Sequence, residues 1–307
     1  MKELFRVGET VISTLNANGF EAYFVGGCVR DYYMQRQVHD VDITTDARPD
    51  EVEALFDKTI DVGKEHGTII VLIQNIPFEV TTYRVDGKHT GCLLDEDLKR
   101  RDFTMNAMAM SENMIFHDPF SGREAIEKKE IITAGEPDER FGEDPLRIIR
   151  AIRFMSVLNF SIEKATERSM MENAHTVEQV SVERIVGELK KTYAGNGLKS
   201  AKEKLVQAGL MAFIPLFKDI DKDEYMNSHV EDFMDELITQ SVKNDTLIGR
   251  LRDLKLSNAE IELVKHGKLL LQSAAEDVHP RKIAYQYHED VIRRLIRLNQ
   301  YNELIED

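Results

Sequence analysis

The segment Phe24–Thr45, FVGGCVRDYYMQRQVHDVDITT, constrains this chain more than any other. Phe24 and Val25 end a short apolar run that reads as a strand, and Gly26-Gly27 allow a sharp turn with close backbone approach to a ligand. The chain then enters a predicted helix through Cys28, Val29, Arg30 and Asp31. A strand, a glycine turn and a helix start, in that order, leave free N–H groups at a positive dipole end, which suits a phosphate. Arg30 adds a fixed guanidinium fork. Asp40-Val41-Asp42-Ile43 reads as a second strand, on which alternation puts Asp40 and Asp42 on one face. Two adjacent carboxylates repel unless a cation sits between them, and Mg²⁺ is the natural occupant. A phosphate cradle followed by such a pair implies phosphoryl or nucleotidyl transfer.

The remaining elements follow from periodicity and punctuation. Glu3–Gly19 carries apolar residues at helical spacing and ends at a glycine. Pro49–Phe56 reads as a short helix, and Gly67–Gln74 with Pro77–Tyr83 as a hairpin turning at Asn75-Ile76. Asp95–Arg101 reads as helix, Asn106–Met110 and Met114–His117 as short strands, Arg123–Lys129 as helix and Ile131–Ala134 as a strand. From Gly142 onward no strand run is visible, and Gly135, Pro137 and Gly142 mark the break. The expected fold class is an α+β head, a small mixed sheet with helices, followed by an all-α remainder. The expected domains are 1–138 for the head, 139–197 for a helical neck and 198–307 for a helical body and tail.

Composition narrows the function classes. A net charge of −15 excludes a generally basic nucleic-acid binder, so RNA would have to meet Lys and Arg gathered on one face. Two cysteines, Cys28 and Cys92, give neither a disulfide framework nor a metal-binding spacing. Membrane-length apolar runs and a signal-peptide pattern are lacking, so the expected location is cytoplasmic.

Further along, Phe78–Arg84 alternates so that Glu79, Thr81 and Tyr83 share a face, and Glu79 on a neighbouring strand is placed to complete a metal site. Asp97–Ala107 reads DLKRRDFTMNA, Asp118–Glu124 reads DPFSGRE, Glu143–Phe154 reads EDPLRIIRAIRF and Ser181–Leu189 reads SVERIVGEL. With GGCVRD and DVD upstream, these five motifs resemble the class II tRNA nucleotidyltransferases. That family comprises CCA-adding, CC-adding and A-adding enzymes and bacterial poly(A) polymerases. The likeness covers about residues 1–215; beyond Leu216 little is similar, and the RNA-gripping portion is expected to be reduced.

The resemblance implies a set of roles. Asp40 and Asp42 would hold Mg²⁺, and Glu79 would complete the metal site or act as general base. Gly27, Arg30 and Arg101 would position the phosphates. Arg101 and Asp102 would meet the ribose 2′-hydroxyl, which donates and accepts, with Asn106 supporting the turn. Asp144 and Arg147, at i and i+3 on a helix started by Pro145, would read the base edge without a template. Arg150 and Arg153 extend the stripe toward phosphate or RNA. Asp118–Glu124 would be a hinge between head and neck, and Ser181–Leu189 neck structure. The basic clusters at Arg250–Arg252 and Arg293–Arg297 read either as tRNA contacts or as a solvated helix face.

One departure stands out. Only Lys88–Leu94 separates Tyr83–Gly87 from Asp95–Leu98, where CCA-adding relatives carry a longer loop with an acidic-Arg-Arg-Pro signature. In the family that loop reshapes the base pocket from C to A. The leading expectation is therefore CMP addition from CTP to a tRNA 3′ end, stopping at CC, with a separate A-adding enzyme acting next. The alternative is complete CCA addition from CTP and ATP. A poly(A) polymerase and a non-catalytic RNA-binding relative remain open.

Overall fold

The computed structural model describes residues 2–83, 93–218, 220–274, 292–294 and 296–298. It divides into two compact units, residues 1–140 with 161–166, and residues 141–160 with 167–307.

The first unit starts with α1 (Lys2–Ala17), whose apolar stripe buries Phe5, Val11, Ile12 and Leu15. β1 (Ala22–Val25) runs into α2 (Gly27–Tyr33) through Gly26, and β2 (Asp42–Thr45) leads to α3 (Pro49–Leu55). Next come β3 (Thr59–Gly63), β4 (Thr68–Ile73) and β5 (Ile76–Thr82). Gln74 and Asn75 join β4 to β5, both at positive φ (54° and 63°), the signature of the type I′ hairpin turn. α4 (Leu94–Lys99), β6 (Ala109–Met110), β7 (Phe116–His117), α5 (Gly122–Lys128) and β8 (Glu130–Ile131) complete the head. The sheet order is β3-β4-β5-β2-β1-β6-β7, antiparallel except for the parallel β2–β5 pair. Val25, Leu98, Ala107, Ala109 and Ala134 form a buried cluster beside the site, small enough to let α4 close on β1.

Several elements differ from the sequence reading. β3 was not expected: its residues are half-buried or exposed, so no apolar alternation betrays it. β2 begins at Asp42, so Asp40 lies in the exposed approach to the strand and the pleat does not set its direction. Tyr83 follows the end of β5 and is buried, so the alternation does not reach it. Of the expected strand Asn106–Met110 only Ala109–Met110 forms, because Asn106 ends a 3₁₀ turn that starts at Thr104, and Thr133 contributes only an isolated bridge to Phe103. A strand also exists beyond Gly142: β9 (Ser161–Ile162) pairs in parallel with β8, which draws Ser161–Thr166 into the first unit.

After α6 (Pro137–Glu143), the second unit is built on α7 (Leu146–Leu158), with α8 (Lys164–Glu172), α9 (Val182–Tyr193) and α10 (Leu198–Gln207) following. Gly195 and Gly197 lie so close to the Ser156 backbone that a Cβ would come within 2.4 Å and 3.1 Å of it. α11 (Lys222–Asn227), α12 (Phe233–Lys243), α13 (Asp245–Arg250) and α14 (Asn258–Ala274) complete it. Its interior holds a buried ion pair, Lys202 Nζ to Glu236 Oε2 at 2.8 Å, with the rings of Tyr193 and Tyr225 about the ammonium. No helix among the described residues is long and apolar enough to cross a membrane.

Candidate active site

The expected catalytic residues of the first unit gather on the open face of its sheet. Register places Val25 opposite Asp42 on one side and Glu79 opposite Asp42 on the other. Two carboxylates thus stand on neighbouring parallel strands, Asp42 beside the glycine turn and Glu79 one strand further away. Burial, then the charges of Glu79 and Asp40, push the Asp42 carboxyl up to about 6, and Arg101 partly offsets them. Asp40 therefore acts on Asp42 electrostatically although it lies outside the strand.

The glycine turn owes its shape to Gly26, at φ 74° and ψ −136°. A Cβ there would lie 2.9 Å from Arg101 Nη1 and 3.8 Å from Asp42 Oδ2. Only glycine lets the Arg101 guanidinium lie over the turn beside the carboxylate. Arg101 is oriented from below by Asp97, four residues earlier, whose Oδ2 accepts from Arg101 Nη2 at 3.3 Å and from Thr44 Oγ1 at 3.4 Å. Asp42, Glu79, Asp97 and Arg101 line one cleft of about 290 Å³. Cys28 is buried behind it, its thiol pushed up to about 12 by burial, which fits a filler and no nucleophile.

Arg30, Asp102 and Asn106 form a second group. Arg30 is buried; it donates from Nε and Nη2 to Asp31, each at 2.9 Å, and from Nη1 to Asn106 Oδ1 at 2.7 Å. Asn106 Nδ2 in turn donates to Asp102 Oδ1 at 2.9 Å. This chain ties the start of α2, which contains Gly27, to the loop that bears Arg101.

The expected base-reading residues lie in the second unit. Asp144 Oδ1 accepts from the Leu146 N–H at 3.2 Å and so serves the start of α7. Its Oδ2 accepts from Arg184 Nη2 at 2.8 Å. Arg147 pairs with Glu143 at 2.9 Å instead of Asp144. Arg150 and Arg153 both turn to Glu188 of α9, at 3.9 Å and 3.1 Å, and Arg153 stacks 4.0 Å above the Phe154 ring. Sequence reading missed Asp97, Arg184 and Glu188. Asp97 had a local signal, the i, i+4 spacing to Arg101; Arg184 and Glu188 had none, because their partners are tens of residues away.

Two further motifs gained a structural task. Asp118 caps α5, accepting from the Gly122 and Arg123 N–H groups at 2.6 Å and 3.0 Å, and Gly122 packs against the Thr104 carbonyl. The motif is thus a tight turn inside the first unit. Arg294 and Arg297 bond Asp235 at 2.8 Å and 2.6 Å, and Arg250 donates to the Pro215 carbonyl, so these arginines are engaged within the fold. The shortened loop lies mostly in residues 84–92, outside the described residues, as does Cys92.

The chain matches the family model described as Poly A polymerase head domain over residues 22–132, and Probable RNA and SrmB- binding site of polymerase A over residues 159–221. The CCA-adding enzyme of Staphylococcus epidermidis is 40% identical over 97% of this chain and 77% of its own length. The chain belongs to the class II tRNA nucleotidyltransferase and poly(A) polymerase family. A CCA-adding enzyme of Geobacillus thermodenitrificans is 48% identical over 70% of this chain and 56% of its own. The crystal structure of the Bacillus stearothermophilus CCA-adding enzyme in complex with CTP superposes with a TM-score of 0.83 at 34% identity, covering 97% of this chain and 84% of that one. Membership in this nucleotidyltransferase family makes the chain an enzyme of that class.

Proposed function

We propose that this chain builds the complete CCA end of tRNA without a nucleic-acid template, adding CMP twice from CTP and then AMP from ATP. The observation that carries the reaction type is the register that sets Glu79 and Asp42 side by side next to the Gly26 turn. Completion to A rests on the likeness to CCA-adding enzymes over nearly the whole chain. It replaces the expectation of a stop at CC, and no separate A-adding enzyme is then needed. The cytoplasm is the proposed location.

Asp40 and Asp42 are the residues that would hold Mg²⁺. No group of three or more His, Cys, Asp or Glu among the described residues forms a metal cage. Two carboxylates fit Mg²⁺ nonetheless, since this ion takes one or two protein carboxylates with water and substrate phosphates. Burial and the charges of Glu79 and Asp40 lift the Asp42 carboxyl, and a cation beside it would offset both. When bound, the cation supplies positive charge to the triphosphate and to the attacking oxygen.

The chain's own groups do the rest. Gly27 N–H and Arg101 orient the phosphates, Arg30 holds the start of α2 in place through Asp31 and Asn106, and Arg101 with Asp102 meets the ribose. Glu79 takes the proton of the acceptor 3′-hydroxyl. That oxygen bonds to the α-phosphorus as the α–β bridge breaks and pyrophosphate leaves. Asp144 and Arg147 offer an acceptor and a donor fork to the base edge, while Arg150 and Arg153 hold phosphate.

The test is extension of tRNA transcripts ending at the discriminator base, at C and at CC, with CTP or ATP and Mg²⁺. Two cytidines followed by one adenosine are expected. Addition that stops at CC restores the CC-adding reading, and long A tails on any RNA indicate a poly(A) polymerase.

A further inference from the structure

The catalytic carboxylates occupy only part of the open sheet face. Cross-strand register continues the row away from Gly26: Asp42 stands opposite Glu79 on β5, Glu79 opposite Ile70 on β4, and Ile70 opposite Ile60 on β3. Two residues along, Thr44 stands opposite Thr81, and Thr81 opposite Thr68. The threonines are linked: Thr44 Oγ1 donates to the Thr81 carbonyl at 3.2 Å, and the Thr68 and Thr81 hydroxyls share a hydrogen bond at 3.2 Å. Thr68, Thr81 and Arg100 line the same cleft as Asp42 and Glu79. Ile60 ends the row on the edge strand, 47% exposed. Edge strands usually carry charge or hide their apolar residues, so an open isoleucine here is unusual.

In-line displacement puts the attacking and leaving oxygens on opposite sides of the phosphorus. The glycine turn and Arg101 flank Asp42 on the β1 side, where the triphosphate is expected. The attacking hydroxyl must then come over β5, where Glu79 waits and where the threonines and isoleucines follow. Strands about 4.8 Å apart place Ile70 and Ile60 roughly 10 and 14 Å from Asp42, the reach of one nucleotide.

The character of this face also fits a changing guest. An acceptor end grows during the reaction, so its terminal base changes after each addition. A subsite that tolerates this must grip sugar and phosphate and avoid reading base edges. Hydroxyls and a guanidinium do the first, and aliphatic carbons lie against a base without reading it.

We propose that Thr81, Thr68 and Arg100, with the Ile70–Ile60 shelf, form the subsite for the 3′-terminal nucleotide of the acceptor RNA. The ribose and phosphate lie on the hydroxyls and the guanidinium, and the base lies on the isoleucines. This inference rests on the tRNA-extending reading above.

Steady-state kinetics of the full chain test it, with acceptor RNA and nucleotide varied separately in Thr81→Val, Thr81→Ser and Ile60→Ser. Loss of one hydrogen bond or one apolar contact raises the acceptor KM roughly three- to tenfold in Thr81→Val and Ile60→Ser. The nucleotide KM stays within about twofold, the split expected when only one substrate's binding is touched. Thr81→Ser, which keeps the hydroxyl, retains the wild-type acceptor KM. A nucleotide KM that rises as much as the acceptor KM, or an acceptor KM unmoved in both variants, overturns the subsite and leaves the function standing. A wild-type chain that extends no RNA overturns the function and the subsite together.

Discussion

Asp42 and Gly26 show how single residues set this site. The Asp42 carboxyl is held up at about 6 against an ordinary value of 3.8. A carboxylate raised by folding makes the folded state prefer its proton, so it destabilises the cation-free chain as pH rises from about 3.8 to about 6. The penalty is complete above pH 6 and absent below 3.8. Asp42→Asn removes it, and should stabilise the cation-free chain at pH 7.5 by about 1–3 kcal/mol, with the gain shrinking toward acid pH. Thermal melts across pH check this, and the same variant should transfer no nucleotide. Gly26→Ala should act oppositely on stability. A side chain at φ 74° and within 2.9 Å of Arg101 Nη1 costs on the order of 1–3 kcal/mol. Displacement of Arg101 should also raise the nucleotide KM, while the far-ultraviolet spectrum is unchanged.

At the scale of elements, legibility in the sequence followed how local the cause was. The Gly26-Gly27 turn, the β4–β5 hairpin, its turn one residue earlier than expected, and the start of α7 at Pro145 were visible because adjacent residues carry their causes. β3 escaped because an edge strand without a buried face shows no alternation, and β9 because two residues pair with a strand thirty positions away. Glu79 is legible as a carboxylate on a strand next to the Asp40 and Asp42 pair, but its parallel register with Asp42 is a property of the folded sheet. The charge network of the helical unit was invisible for the same reason. Glu188 gathers Arg150, Arg153 and Lys191, and Lys202 is buried against Glu236. Lys202→Met leaves the buried Glu236 carboxylate without its counter-ion, with neutral donors such as Ser228 Oγ and Gln240 Nε2 in its place. It should cost about 3–5 kcal/mol in chemical denaturation, the usual effect of breaking a buried pair from one side. Replacing both partners with apolar residues of similar volume should recover much of that loss.

For the whole molecule, net charge and function pull in opposite directions. A chain with a charge of −15 must bring its guanidinium groups to a polyanion, and carboxylates engage most of those named here: Asp97 holds Arg101, Glu143 holds Arg147 and Glu188 holds Arg153. Few phosphates are then neutralised at once, so RNA affinity should be modest and its logarithm should fall gently with log salt, checked by titration at several ionic strengths. The Asp42 face is proposed to complete CCA on tRNA. The most direct measurement is incorporation of labelled AMP from ATP into a tRNA ending in CC, with Mg²⁺, by the wild-type chain and by Asp42→Asn. A single adenosine is expected from the wild type and none from the variant. A wild-type chain that leaves the CC end unextended, or a variant that still adds A, would contradict it.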